Sequence, residues 1–207
     1  MRVRSVVALT VLLALGAACG SDGGSGSGGR PYTGIKRTPP LEVGSVTLPE
    51  VAPDDGSTFT MKASAPDRLL VVYFGYTNCP DLCPTTLSAL RGAFKEIGAP
   101  ADRVDVAFAT VDPARDTPDV LAGYLSSFFT GHWHALRTED DTVLKAAEEP
   151  FLVTSSVETT FDGRISVTHT AATYVIDDTG TVVIEWGYPT KAEDMTADLR
   201  QLLEETA

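Results

Sequence analysis

The chain has 207 residues, enough for one domain or a little more, and 43% of them are hydrophobic, so one sizeable core can be buried. Sixteen basic side chains against 28 acidic ones leave a formal net charge of −12, which speaks against nucleic acid or an anionic membrane surface as an electrostatic partner, since both need clustered Lys and Arg. No apolar run reaches the roughly 18–20 residues of a spanning helix, which excludes a multi-pass membrane protein, and three Cys are too few for a disulfide scaffold.

Residues 1–18 carry Arg2 and Arg4, then thirteen residues that are apolar or small except Thr10. A basic start, a short apolar run and small residues at its end predict a secretory signal peptide. The string Leu15-Gly16-Ala17-Ala18-Cys19-Gly20 resembles a bacterial lipobox, although its Leu stands one position further from the Cys than usual. It implies diacylglycerol on Cys19 and cleavage before it; the alternative is ordinary cleavage that leaves a free thiol. Two acyl chains anchor a protein stably where one is marginal. Residues 20–29 are six Gly, three Ser and one Asp, and cannot pack. With Pro31, Pro39 and Pro40 stiffening the lower half, residues 19–44 read as lipidated Cys plus tether, of r.m.s. reach roughly 25–30 Å. The expected location is the outer face of the cytoplasmic membrane.

Residues 45–207 read as the folded domain. An extended lead-in covers 43–61. Residues 69–74 (LLVVYF) are a continuous apolar run, short enough for a strand buried on both faces. After a loop to Pro84, Cys83, Leu87, Leu90, Phe94 and Ile97 form the apolar stripe of an amphipathic helix. Residues 104–111 (VDVAFATV) predict a strand, and 118–129 a helix with Pro118 at its start. Residues 172–176 and 181–186 flank Asp177-Asp178-Thr179-Gly180 as a hairpin, and Met195, Leu199, Leu202 and Leu203 predict a last helix. The alternation fits a three-layer α/β fold with a central mixed sheet and flanking helices.

Between the first strand and its helix lies Tyr76-Thr77-Asn78-Cys79-Pro80-Asp81-Leu82-Cys83-Pro84. Free N–H groups and the positive end of the helix dipole favour thiolate there, and residues i and i+4 share a helical face. The two sulfurs can therefore meet each other, as a disulfide, or a soft metal ion. A purely stabilising Cys79–Cys83 bridge is the weaker reading, because so short a loop removes little chain entropy. Three His offer a third ligand. His132 and His134 stand at a helix end running into a turn; their alternate spacing could grip a metal from a strand, but such residues are more often ordinary surface His. His169 stands in a loop just before a core strand, and spacing alone does not bring it to Cys79.

Three blocks carry a resemblance: Tyr73 to Leu87 (YFGYTNCPDLCPTTL), Val111 to Pro118 (VDPARDTP) and His169 to Asp177 (HTAATYVID). In this order, over roughly residues 45–205, they resemble the Sco/SenC family. The resemblance implies a thioredoxin-like fold and delivery of copper to the dinuclear site of cytochrome c oxidase, with the oxidase's copper-bearing subunit, and other copper chaperones, as partners. It implies Cys79, Cys83 and His169 as copper ligands, with Cys79 and Cys83 also a redox-active, disulfide-forming pair. Asp112, Arg115 and Asp116 match a second family block, open to a role in loop structure or in partner contact. Thiolate is a soft ligand suited to Cu(I), and imidazole suits both oxidation states of copper.

A membrane-tethered thiol–disulfide oxidoreductase acting on cysteines of the oxidase or of other exported proteins is the competing reading, and it needs only Cys79 and Cys83. Thioredoxin-like reductases usually have a Pro before the strand that follows the active-site loop. Here Thr170-Ala171-Ala172 stands in that region beside His169, which weakens the reductase reading. A peroxidase-like thiol enzyme fits less well, since Thr77 is its only obvious helper.

Overall fold

A computed structural model describes residues 30–53 and 56–206. Cys19 and the export signal lie outside the described residues. The elements are β1 (Thr47–Ala52), β2 (Thr58–Thr60), β3 (Leu69–Gly75), α1 (Leu82–Ile97), β4 (Val104–Thr110), α2 (Pro118–Ser126), β5 (Trp133–Leu136), α3 (Asp141–Glu148), β6 (Ser155–Thr159), β7 (Ile165–His169), β8 (Ala172–Ile176), β9 (Val182–Gly187) and α4 (Ala192–Glu205).

Seven strands form one mixed sheet in the order β2-β1-β5-β4-β3-β8-β9, and β6 and β7 form a separate two-stranded sheet. The three central strands are parallel, and β8, β9, β1 and β2 are antiparallel to their neighbours. Every residue of β3 and of β8 is buried, as continuous apolar strands covered on both faces must be. Alternation sends Tyr73 and Phe108 to one face, where Phe108 meets Tyr124 of α2, and Phe74 to the other, where it meets Phe151. Among the described residues no helix is long and apolar enough to cross a membrane.

The expected lead-in is the β1–β2 hairpin, added to the sheet by pairing β1 with β5. Three elements were not legible in advance: β5, α3 and the β6–β7 hairpin. The second helix is shorter than its apolar pattern suggests. It ends at Ser126, where the hydroxyls of Ser126 and Ser127 bond back to the carbonyls of Gly123 and Tyr124. His134 lies within β5, a strand and not a turn.

Residues 31–44, which composition assigns to the tether, pack as a strap along the free edge of β9. Ile35 and Glu42 bridge to Glu185 and Thr181, and Arg37 forms a two-pronged ion pair with Glu185. The buried Asp198 of α4 accepts the N–H groups of Thr33 and Gly34 and the indole N–H of Trp186, at 3.0, 2.8 and 3.0 Å. Where the strap crosses the β8–β9 turn, a Cβ on Gly180 (φ +85°) would stand 2.1 Å from Gly44 Cα, so only glycine fits.

Candidate metal centre

β3 ends at Gly75, and the chain turns through residues 76–81 before α1 begins at Leu82. Asp81 stands at the N-cap but its side chain caps no N–H of the helix. Cys79 Sγ takes that place, accepting the Cys83 N–H at 3.3 Å. Cys83, in the first turn of α1, is fully buried, and Cys79 is 7% exposed. A Cβ on Gly75 would lie 3.1 Å from Cys83 Sγ and 2.7 Å from the Tyr73 ring, so the bare backbone makes room for the sulfur.

His169 is the last residue of β7, a strand end where the sequence suggested a loop. Its Nε2 lies 3.8 Å from Cys83 Sγ, and the three ligand atoms of Cys79, Cys83 and His169 all fall within 4.8 Å of one another. Bonds of about 2.0–2.3 Å from a transition metal to nitrogen and sulfur fit this triangle with a small contraction. His169 Nδ1 faces the Thr170 carbonyl at 3.0 Å, so a tautomer with Nδ1 donating leaves Nε2 free to ligate. The rings of Tyr73 and Tyr76 stand edge-on to the imidazole, 6.0 and 5.9 Å between centroids.

Burial pushes the Cys83 thiol up to about 12, with the neighbouring Cys79 adding to the rise. The dipole argument from sequence is therefore outweighed at Cys83. The interior that shields this sulfur disfavours its charge more than one helix terminus favours it, and it stays a thiol at neutral pH until a cation replaces the proton. Burial also lowers the His169 pKa, despite an opposing contribution from the Thr170 carbonyl. The imidazole is thus neutral near pH 7 and needs no deprotonation to bind a metal.

Asp112, Arg115 and Asp116 tie the cysteine loop to the end of β4. Buried Asp116 accepts the Thr77 N–H at 3.1 Å, the Thr77 hydroxyl at 2.5 Å and the Thr110 hydroxyl at 2.6 Å. Asp112 pairs with Arg115 at 2.5 Å, and the Arg115 guanidinium lies 5.9 Å from the Tyr76 ring centroid. Arg137 closes the turn from below through the carbonyls of Pro113 and Asp116. Thr77, Thr110 and Arg137 carried no signal of this role in the sequence. Nor did Tyr73, whose hydroxyl sits 3.7 Å from Cys83 Sγ.

The other two His are engaged elsewhere. His132 pairs with Asp105 at 3.2 Å, and His134 with buried Glu50 at 2.7 Å. Both sit toward the start of β5, whereas the cysteines follow the end of the parallel strand β3.

Comparison with known proteins shows the family to which the chain belongs. The SCO1/SenC family profile matches residues 50–204. A protein of Stutzerimonas stutzeri described as "Putative copper-binding protein" is 32% identical over 155 residues, covering 72% of this chain and 70% of its own. The chain spans between 55% and 66% of the length of three SCO2-like proteins of Rickettsia. The solution structure of apo Sco1 from Thermus thermophilus superposes with a TM-score of 0.68 at 31% identity, covering 83% of this chain and 97% of that one. ScoI of Bradyrhizobium japonicum, solved with copper bound, superposes at 0.62 with 30% identity, covering 81% and 98%. A profile match across most of the folded domain, and solved relatives that share its fold, make the chain a member of the SCO1/SenC family.

Proposed function

We propose that this protein is an extracytoplasmic copper chaperone, held to the membrane through Cys19, that carries copper on Cys79, Cys83 and His169 to the dinuclear site of cytochrome c oxidase. The approach of His169 Nε2 to 3.8 Å from Cys83 Sγ carries the reading. Thiol exchange can proceed without an imidazole, whereas a three-ligand set needs the one that this separate hairpin brings onto the cysteine pair. Two sulfurs and one nitrogen suit copper, a soft ion as Cu(I) and a nitrogen-tolerant one as Cu(II). Relatives solved with copper bound support the choice of cargo.

The chain's own groups divide the work. Cys79 Sγ is held by the Cys83 N–H, and His169 is oriented by the Thr170 carbonyl. Cys83 exchanges its proton for the metal, so loading and unloading are coupled to proton release at this buried sulfur.

The test is copper titration of the domain Pro31–Ala207 beside its His169→Ala variant, read by optical absorption. One copper per chain is expected, with a sulfur-to-metal charge-transfer band for Cu(II). Removing either cysteine should abolish the site, and His169→Ala should weaken binding and move the band. Copper binding indifferent to His169→Ala would leave the thiol–disulfide oxidoreductase as the better account.

A further inference from the structure

His169 ends a hairpin that stands apart from the main sheet, and what fixes that hairpin decides where the imidazole lies. The ladder of β6 and β7 closes with Ser155 opposite His169. Most of β6 and β7 is exposed. Among the described residues the hairpin has no packing on another strand or helix that compares with its own pairing. Its base is gripped from α3. The Ser155 hydroxyl donates to Glu148 Oε1 at 2.5 Å. Lys145 Nζ donates to Glu148 Oε2 at 2.9 Å, to the Ser155 carbonyl at 2.6 Å and to Ser155 Oγ at 2.8 Å. One residue further, Thr154 and Thr170 exchange bonds: the Thr170 N–H to the Thr154 carbonyl, and the Thr154 N–H to Thr170 Oγ1.

Glu148 is the unusual member, a carboxylate whose side chain is 2% exposed at the end of an amphipathic helix. Burying a charge costs several kcal/mol unless it is paired and hydrogen-bonded, and an apolar residue would pack there at no such cost. Its two oxygens are spent on the strand residue directly opposite His169 and on the lysine that grips that same residue. We propose that Glu148, acting through Ser155 and together with Lys145, sets the position of His169 relative to the two sulfurs. Glu148 is then a positioning residue for the metal centre and not a ligand.

This inference rests on the copper reading and is tested with Cu(II) chloride on the full chain carrying Cys19→Ser, by chelator competition and by the charge-transfer spectrum. Glu148→Gln keeps the shape and one acceptor oxygen but removes the charge; Ser155→Ala removes the hydroxyl's bonds to Glu148 and Lys145 and keeps the Lys145–Glu148 pair and the Lys145 bond to the residue 155 carbonyl. Each should weaken copper binding by about tenfold or more, the range for residues that orient a metal-binding His, and should shift the band in the direction His169→Ala does. In a His169→Ala background both substitutions should lose their effect on affinity. Wild-type affinity and spectrum in both variants would overturn the inference and leave the copper reading standing. Equal effects with and without His169 would overturn it too, since the cluster would then act on general stability. If copper binding proves indifferent to His169→Ala itself, the parent reading fails and this one with it.

Discussion

The Cys83 backbone N–H donates to Cys79 Sγ, so one member of the pair caps the helix that carries the other. The two sulfurs are consequently unequal. Cys79 is 7% exposed and accepts an N–H, and Cys83 lies fully buried with its thiol raised to about 12.

That inequality fixes a pH dependence. Below about 12, copper binding must expel the Cys83 proton, so affinity should rise by about tenfold per pH unit for each proton released. Competition titrations at pH 6, 7 and 8 check this, and affinity independent of pH would refute it. The metal-free protein should respond in the opposite sense. A thiol raised from about 9 to about 12 favours the folded state fully below pH 9, and that contribution is lost as pH rises through about 12. Cys83→Ser should flatten the stability curve between those limits.

Asp116→Ala should both destabilise the protein and loosen the site. It strands the Thr77 N–H and the hydroxyls of Thr77 and Thr110, at about 1–3 kcal/mol for each group left buried and unpaired. Asp116→Asn, which keeps acceptor capacity at one oxygen, should lose less. Thermal unfolding and copper affinity measured together check the prediction, and normal copper binding with a lowered Tm would confine Asp116 to stability.

His134→Ala should cost about 1–3 kcal/mol, because it leaves buried Glu50 with the Ser57 hydroxyl as its remaining side-chain partner. His132→Ala, at an exposed pair, should cost under about 1 kcal/mol. Neither should change copper stoichiometry or spectrum, and dependence of the spectrum on either residue would relocate the metal centre.

The contrast among the three His shows how far the sequence was legible. Cys79 and Cys83 are four residues apart, and although Cys79 lies in the turn ahead of α1 and not on the helix, so short a separation keeps them together. His169 stands 86 residues from Cys83, beyond any local rule, and only the resemblance of whole blocks singled it out. The strands β3, β4, β8 and β9 announce themselves by apolar runs, and α1 and α4 by their stripes. The hairpin that delivers His169 does not, because its residues are largely exposed on both faces and show no burial rhythm. β5 is four residues long, and α3 buries little beyond Leu144, Ala147 and Glu148. Glu148 reads in sequence as one more acidic residue; only its burial marks it.

If Cys19 carries the anchor, the protein should fractionate with membranes, and Cys19→Ser should release it or block its processing. Equal membrane retention of that variant would refute the lipid reading.

The strap along β9 sets a limit on such an anchor. With residues 33 and 34 pinned to Asp198 and Ile35 to Glu185, the only chain left to span the gap from the lipid runs from Cys19 to Pro31. Twelve peptide units cover at most about 40 Å, roughly half the span that 25 free residues would allow. The strap also runs antiparallel to β9, entering near the end of the sheet where β8 begins, the same end at which β3 runs into the cysteine loop. Cargo would therefore be handed over within a short working radius of the bilayer surface, and a recipient site standing higher than that would stay out of reach. Residues inserted ahead of Arg30 would widen the radius and leave the bonds of Thr33, Gly34 and Ile35 in place.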